Sequence, residues 1–174
     1  GVGRRLLRPA PLVNADVLTP DGLMAGTRPR HRNVVIYDDD HYYMGGVLAE
    51  LLVSEGFTVS VVTPAAEVST WMRMTMEQFF VQHRLVNLGV KIVPHHGLVQ
   101  AEGPRVTLSC IFTGRETVVE DCSVVMVTAR FPGNALAREL EARRDAWADA
   151  GLVSVTLIGD ALAPGTIAAA VWGG

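Results

Sequence analysis

Two cysteines are all that the 174-residue sequence contains, and Cys110 and Cys122 each stand alone in apolar or strand-like surroundings. With no C-x-x-C pair, a metal ribbon or a disulfide framework is not expected. Both side chains read as buried free thiols of a cytosolic, cytoplasmic chain. No apolar run reaches the roughly 18 residues that a membrane span requires. The Arg-rich start is followed by no apolar core and no cleavage site, so a secretory leader is not expected either. The net charge of −3 is too mild for the basic footprint of a nucleic-acid binder. No nucleophile, general base and metal-ligand set emerges, so no catalytic residue and no metal site are expected.

The absence that matters most lies within residues 33–63, NVVIYDDDHYYMGGVLAELLVSEGFTVSVVT. Val34 to Tyr37 form a short apolar run suited to a strand covered on both faces. Met44, Val47, Leu48, Leu51 and Leu52 recur at helical spacing and predict one face of a helix lying on a sheet. Gly56 stands where a helix C-cap glycine belongs, and Thr58 to Val62 is β-branched and strand-like. The stretch is therefore one βαβ unit, the first half of a dinucleotide-binding fold. Such a unit carries G-x-G-x-x-G between strand and helix, so that a pyrophosphate can approach backbone N–H groups at the helix N-terminus. Here Asp38, Asp39, Asp40, His41, Tyr42 and Tyr43 occupy that turn, and glycines arrive only at Gly45 and Gly46. Carboxylates suit a helix N-terminus, but they occupy or repel the place of a phosphate. Thr63 and Pro64 stand where an acidic residue would hold a ribose. The scaffold of a nucleotide site is present without its chemistry. His41 is most simply a polar loop residue, and Tyr42 and Tyr43 are expected to pack against a neighbouring domain.

Around this unit the chain reads as a Rossmann-like parallel sheet of the α/β class with an inserted three-stranded β-meander. Residues 1–32 hold Pro9, Pro11, Pro20 and Pro29 with many arginines, and read as a connector from an upstream FAD-like domain. A short strand lies within 12–18, a helical turn over Pro20 to Gly26, and a solvated basic linker over Arg28 to Arg32. Residues 33–152 form the NAD(P)-like domain. In it, Thr75 to Leu88 predicts an amphipathic helix with Thr75 as N-cap, Gly89 at its end and Phe80, Arg84 and Leu88 in one row. Lys91 to His96 predicts a third parallel strand; His95 and His96 would point to opposite faces and cannot easily share an ion. Leu98 to Ala101, Val106 to Phe112 and Glu116 to Val119 are the meander, separated by Gly-Pro and Thr-Gly turns. Cys122 to Val127 is the next buried strand. Gly133 to Ala150 predicts a helix with Leu136, Leu140 and Trp147 toward the core and its charged face, Arg138 to Asp145, in solvent. Residues 153–174 read as the closing strand, Val153 to Ile158, and an Ala-rich helix of the FAD/ADP-like domain.

The order of these elements resembles the NAD domain of two-dinucleotide-domain flavoproteins such as glutathione and thioredoxin reductases. VVIYDDDHYYMGGVLAELL, LEARRDAWADAGLVSVTLIGD and GDALAPGTIAAAV narrow the likeness. They closely resemble the C-terminal region of the trimethylamine dehydrogenase family, which includes dimethylamine and histamine dehydrogenases and is related to old-yellow-enzyme-like NADH:flavin oxidoreductases. The resemblance covers nearly the whole chain.

It implies a larger flavoprotein oxidoreductase: a TIM barrel with FMN and the catalytic residues, a 4Fe-4S cluster on cysteines, and two nucleotide-domain-like parts, the FAD-like one holding ADP. None of the barrel or cluster residues is in this sequence. The chain starts on Gly-Val-Gly rather than Met and stops at Val171-Trp172-Gly173-Gly174, so a fragment is expected. By the same resemblance, Gly159 and Asp160 match a Gly-Asp motif that borders the ADP part of the nucleotide, with Ala161 and Thr166 close by. The helix from Pro164 to Ala170 would turn its N-terminus to the pyrophosphate. Asp160 reads equally as a plain helix N-cap. Two functional expectations result. In one, the chain is a structural domain of an amine dehydrogenase that hands electrons to an acceptor protein, packs on the barrel and FAD-like domains of its own chain, and self-associates, as in a homodimer, where apolar surface is left bare. In the other it binds NAD(P)H and feeds a flavin, as in dienoyl-CoA-reductase-like relatives; Asp38, Asp39 and Asp40 oppose that reading.

Overall fold

Residues 10–128, 130, 132–165 and 171–172 are described by a computed structural model. They fall in two compact units, Gly1–Thr128 and Ala129–Gly174, taken here one at a time.

The first unit is built on alternation. In β3 (Asn33–Asp38) every residue after Asn33 is buried. Val34 and Ile36 join one apolar cluster and Val35 and Tyr37 another, because successive side chains of a strand leave opposite faces. A continuous apolar run is what a strand covered on both sides requires. Before it come β1 (Leu12–Val13), β2 (Val17–Leu18) and the short helix α1 (Pro20–Met24). After it come α2 (Met44–Ser54), β4 (Thr58–Val62), α3 (Gln78–Asn87), β5 (Lys91–Val93), β6 (His96–Glu102), β7 (Arg105–Cys110), β8 (Glu116–Val119) and β9 (Cys122–Val127). Five strands form a parallel sheet in the order β2-β9-β3-β4-β5, and β1-β6-β7-β8 form a second sheet. In the second sheet β6, β7 and β8 run antiparallel in sequence, and β1 joins parallel to β6. Leu48, Ala49 and Leu52 of α2 and Leu85 of α3 cover one face of the parallel sheet with Val34, Ile36, Val59 and Val61. Ala101, Val106 and Leu108 of the second sheet cover the other with Val35, Tyr37, Val62 and Val124.

Both long helices end alike. Gly56 (φ +88°) and Gly89 (φ +76°) take the left-handed conformation. Phe57 N donates to Leu52 O and Val90 N to Leu85 O, each at 3.0 Å. With the inner bonds Gly56 N to Val53 O (2.9 Å) and Gly89 N to Val86 O (3.0 Å), these are Schellman closures, which satisfy the last helix carbonyls and favour glycine. The stretch read as a connector does more than link. It supplies two strands and α1, which Thr19 caps by accepting from Gly22 N at 3.1 Å. Asp16 fastens it to β9: Ser123 Oγ donates to Asp16 Oδ2 at 2.6 Å and itself accepts from His31 N at 3.0 Å.

Several expectations are corrected. Val47 is exposed, and α2 turns Gly45, Gly46, Leu48, Ala49 and Leu52 inward. Thr75 does not cap α3: it closes a 3-10 turn, Thr70–Thr75, and Glu77 precedes the helix. The helix buries Gln78 and Leu85 and leaves Phe79, Phe80 and Leu88 exposed. β5 stops at Val93, because Pro94 has no N–H for the ladder and His95 turns with φ +59°. His96 then starts a strand of the other sheet. Cys122 is buried, but Cys110 is only half-buried.

In the second unit, α4 (Ala135–Ala142) is shorter than the sequence predicts and is followed by a 3-10 turn, Arg144–Ala146. Trp147 Nε1 donates to Leu140 O at 2.8 Å, and the Arg144 guanidinium lies 5.4 Å from the indole centroid. Trp147 is buried, whereas Leu136 is exposed. Among the described residues, 152–158 pair with no strand, and Val153 is 95% exposed.

Candidate functional site

In an open parallel sheet, ligands bind beyond the carboxyl ends of the strands, where the strand order reverses. Here β3 lies between β9 and β4, and that place is the turn from β3 into α2. The first turn of α2 has no side-chain cap from Tyr43. Its own hydrogen bonding begins with Val47 N to Tyr43 O at 3.1 Å, so the Met44, Gly45 and Gly46 amides lie outside the helical ladder.

Asp38 fills this place from below. It is the last residue of β3 and 1% exposed. Its Oδ1 accepts from Asp40 N (3.2 Å) and His41 N (3.0 Å), and this closes the turn on the strand end, with Asp39 N donating to Val127 O at 2.8 Å. Its Oδ2 is buried without a hydrogen-bond partner. Gly45 lies against it: a Cβ there would stand 2.8 Å from Asp38 Cγ and closer still to Oδ2. Gly46 is tight for another reason, since its Cβ would meet Val81 Cγ1 of α3 at 3.0 Å. The glycines after the acidic turn thus serve the protein's own packing.

The residues around Asp38 are polar. His41 takes φ +61°. Its Nε2 lies 3.3 Å from Asp39 Oδ1 and its Nδ1 3.4 Å from Thr63 Oγ1. The His41 carbonyl accepts from Trp71 N at 3.0 Å. Thr63, at the end of β4, joins both sheets: its N–H donates to Val93 O (3.1 Å) and its carbonyl accepts from His96 N (3.0 Å). Ser69 Oγ is a second buried polar atom without a partner, close to Gly46. Burial pushes the Asp38 carboxyl up to about 6, against the pull of the His41 amide. The hydrogen bond to Asp39 holds His41 above the ordinary imidazole value despite burial. Burial, aided by Asp39, pushes Tyr37 up to about 12.

A nicotinamide dinucleotide, the cofactor such a βαβ unit suggests, does not fit these residues. The buried Asp38 carboxyl group lies against Gly45 in the first turn of α2, where backbone must meet pyrophosphate. The sequence marks this turn as acidic; it does not tell which aspartate turns inward. Ser69 gives no signal in sequence at all.

Gly159, Asp160 and Ala161 form a 3-10 turn in the second unit, with Gly159 at φ +54°. Asp160 Oδ1 accepts from Gly165 N at 3.2 Å. Thr166 and most of the helix expected over 164–170 lie outside the described residues. Elsewhere a cleft of about 620 Å³ is lined by Gly97, Leu98, Ser109, Cys110, Phe112 and Thr113. Hydrogen bonds from the Thr113 hydroxyl and from the Thr113 and Phe112 amides hold the Cys110 thiol below its ordinary value. Burial pushes Cys122 up to about 11. No described helix is long and apolar enough to cross a membrane.

A family model described as "OYE-like second alpha/beta domain" matches residues 18–126. Dimethylamine dehydrogenase of Hyphomicrobium sp. (strain x) is 31% identical over the whole of this chain, which covers 26% of that protein. Histamine dehydrogenase from Rhizobium sp. 4-9 superposes with a TM-score of 0.90 at 41% identity, over 99% of this chain and 27% of its own. The 6-hydroxypseudooxynicotine amine oxidase of Pseudomonas geniculata N1 does so with a TM-score of 0.86 at 34% identity, over 99% and 25%. The chain therefore spans about a quarter of the length of the relatives it matches, and its α/β fold with a parallel sheet is that of the histamine dehydrogenase region.

Proposed function

Since the chain belongs to the family of OYE-like second alpha/beta domains, we propose that it is the non-catalytic, nucleotide-domain-like part of a longer flavoprotein oxidoreductase of the trimethylamine dehydrogenase type. In this reading residues 33–152 are a Rossmann-like NAD-type domain that has given up its nucleotide, and 153–174 complete an FAD/ADP-like domain. The whole protein oxidises a C–N bond of a small amine at FMN and passes electrons through a 4Fe-4S cluster to an acceptor protein. The names of the relatives, two amine dehydrogenases and an amine oxidase, support the substrate class. One observation carries the non-binding role: the Asp38 carboxyl group is buried at the N-terminus of α2, against Gly45.

Two further features favour a domain that packs within a larger molecule. Trp71, Met74, Met76, Phe79 and Phe80 are all more than half exposed along the 3-10 turn and α3, an apolar surface that a lone soluble domain seldom leaves bare. Residues 152–158 belong to no strand among the described residues although Val153 to Ile158 is apolar and β-branched, and Val153 is almost fully exposed. Gly159, Asp160, Ala161 and Thr166 would border ADP only in that completed domain.

Anaerobic reduction of the complete gene product tests this function. A small amine is expected to bleach the flavin, and NADH is not. Bleaching by NADH and not by amines would replace this reading with that of an NAD(P)H-fed flavin reductase.

A further inference from the structure

Three non-glycine residues in the left-handed conformation, His41 (φ +61°), Ser69 (φ +52°) and Met76 (φ +59°), frame one piece of surface. That conformation is unfavourable for a residue with a Cβ, and it persists where neighbours hold it. Ser69 and Met76 flank the 3-10 turn Thr70–Thr75, which bares Trp71 and Met74. The turn is moored to His41: Trp71 N donates to the His41 carbonyl at 3.0 Å. His41 is itself held at each of its other polar atoms. Its N–H donates to Asp38 Oδ1 (3.0 Å), its Nε2 lies 3.3 Å from Asp39 Oδ1, and its Nδ1 lies 3.4 Å from Thr63 Oγ1. One residue thus ties the ends of β3 and β4 to the start of the exposed turn.

One of these contacts reverses direction with pH. A carboxylate only accepts, so Nε2 carries a proton where it faces Asp39. The titrating atom is then Nδ1. Bare, it accepts from the Thr63 hydroxyl. Protonated, it donates to Thr63 Oγ1, which accepts from Ala65 N at 3.2 Å and has a second lone pair to offer. The same proton turns the Asp39 contact into an ion pair, the stronger kind of hydrogen bond. We propose that His41 is a proton-operated latch: as an imidazolium between Asp39 and Thr63 it fixes the left-handed turn that moors Trp71, and loss of the proton slackens the Thr70–Thr75 turn and the apolar surface it carries. The latch goes beyond the role proposed above and does not depend on it.

The charges around the imidazole favour its protonated form. Asp38 at the end of β3 and Asp39 and Asp40 in the turn all attract it, and the Asp39 hydrogen bond outweighs burial. From β4 it meets the uncharged Thr63. Behind Thr63, His96 of β6 makes its contact by its backbone amide, and its own Nδ1 lies 2.7 Å from Pro94 O. On the exposed turn, Arg73 is paired with Glu67. The latch is therefore closed in acid and opens as pH rises through the elevated pKa of His41.

Tryptophan emission of the 174-residue chain, followed from about pH 5 to about pH 9 across the imidazole range, tests this. A Trp71→Phe variant supplies the signal of the other tryptophans for subtraction. The Trp71 emission is expected to follow one titration curve, with a midpoint above the ordinary imidazole value and equal to that of the His41 ring observed by proton NMR in wild type. His41→Asn suits left-handed backbone and has no proton to lose in this range, so it is expected to remove the transition. Asp39→Asn is expected to lower the midpoint by at least about half a pH unit, since it deletes the attracting charge. Asp38, whose carboxyl burial raises to about 6, is told apart by Asp38→Asn, which is expected to leave the transition in place. A Trp71 emission that does not follow the His41 ring overturns the proposal without any His41 variant. So does a transition that survives His41→Asn or vanishes in folded Asp38→Asn, or a midpoint that Asp39→Asn leaves unmoved.

Discussion

Asp38 and its two neighbours have the same side chain and different fates, and backbone position decides between them. Asp38 is the last residue of β3 and is buried with the strand; Asp39 and Asp40 belong to the turn and keep partial exposure. Three aspartates in a row announce an acidic turn in the sequence, but which one enters the core depends on where the strand stops. The consequence is measurable. Burial raises the Asp38 carboxyl to about 6, so the folded state favours the protonated form more than the unfolded chain does. The stability it contributes is full below about pH 4 and is lost as pH rises through about 6, a swing on the order of 3 kcal/mol for a shift of about two units. Asp38→Asn, which imitates the protonated form, is expected to melt above wild type at neutral pH, with the gap closing below about pH 4. Thermal melts across that range check this, and a gap that does not change with pH would contradict it. His41, raised by Asp39, works in the same direction: its contribution is present in acid and is lost as pH rises through its elevated pKa.

The two cysteines also part at this scale. Sequence alone reads both as buried thiols, whereas Cys110 borders a cleft and Cys122 is buried at the start of β9. Iodoacetamide is expected to label Cys110 in the native protein and Cys122 only on unfolding, because the thiolate is the nucleophile and needs access. Thr113→Ala should slow labelling of Cys110. Mass spectrometry of the labelled peptides reads both results.

At the scale of elements, what was legible followed strict rules. β4 and β9 occupy the residues that their β-branched runs predict, and the glycines that close α2 and α3 stand in Schellman turns. What failed depended on neighbours that a local pattern does not contain. Helix α3 carries apolar residues on both sides, so its period cannot say which side meets the sheet; the aromatic pair lies outside and Leu85 inside. Residues 153–158 have strand composition without a strand, because a ladder needs a second chain segment. Leu85→Ala is expected to cost about 2–5 kcal/mol, as for other fully buried leucines. Phe79→Ser or Phe80→Ser should cost less than about 0.5 kcal/mol, as at exposed sites. Urea denaturation of the three variants checks this order, and its reversal would mean that α3 docks by its aromatic face.

For the whole molecule, motif and order of elements carried the family, and the matches to the dimethylamine and histamine dehydrogenases bear that resemblance out. The candidate site was half legible. The missing glycine turn was legible, since a motif's absence is visible in one dimension. The contact of Asp38 with Gly45 was not, because the two meet only when strand and helix are folded together.

The most direct test of the central claim is calorimetric titration of this chain with NADH, NADPH and ADP near neutral pH. The account predicts no binding heat from any of the three, because a buried carboxyl group lies against Gly45 in the first turn of α2, where a pyrophosphate would have to approach. Micromolar binding of NADH would contradict it, and would make the acidic turn part of a working nucleotide site.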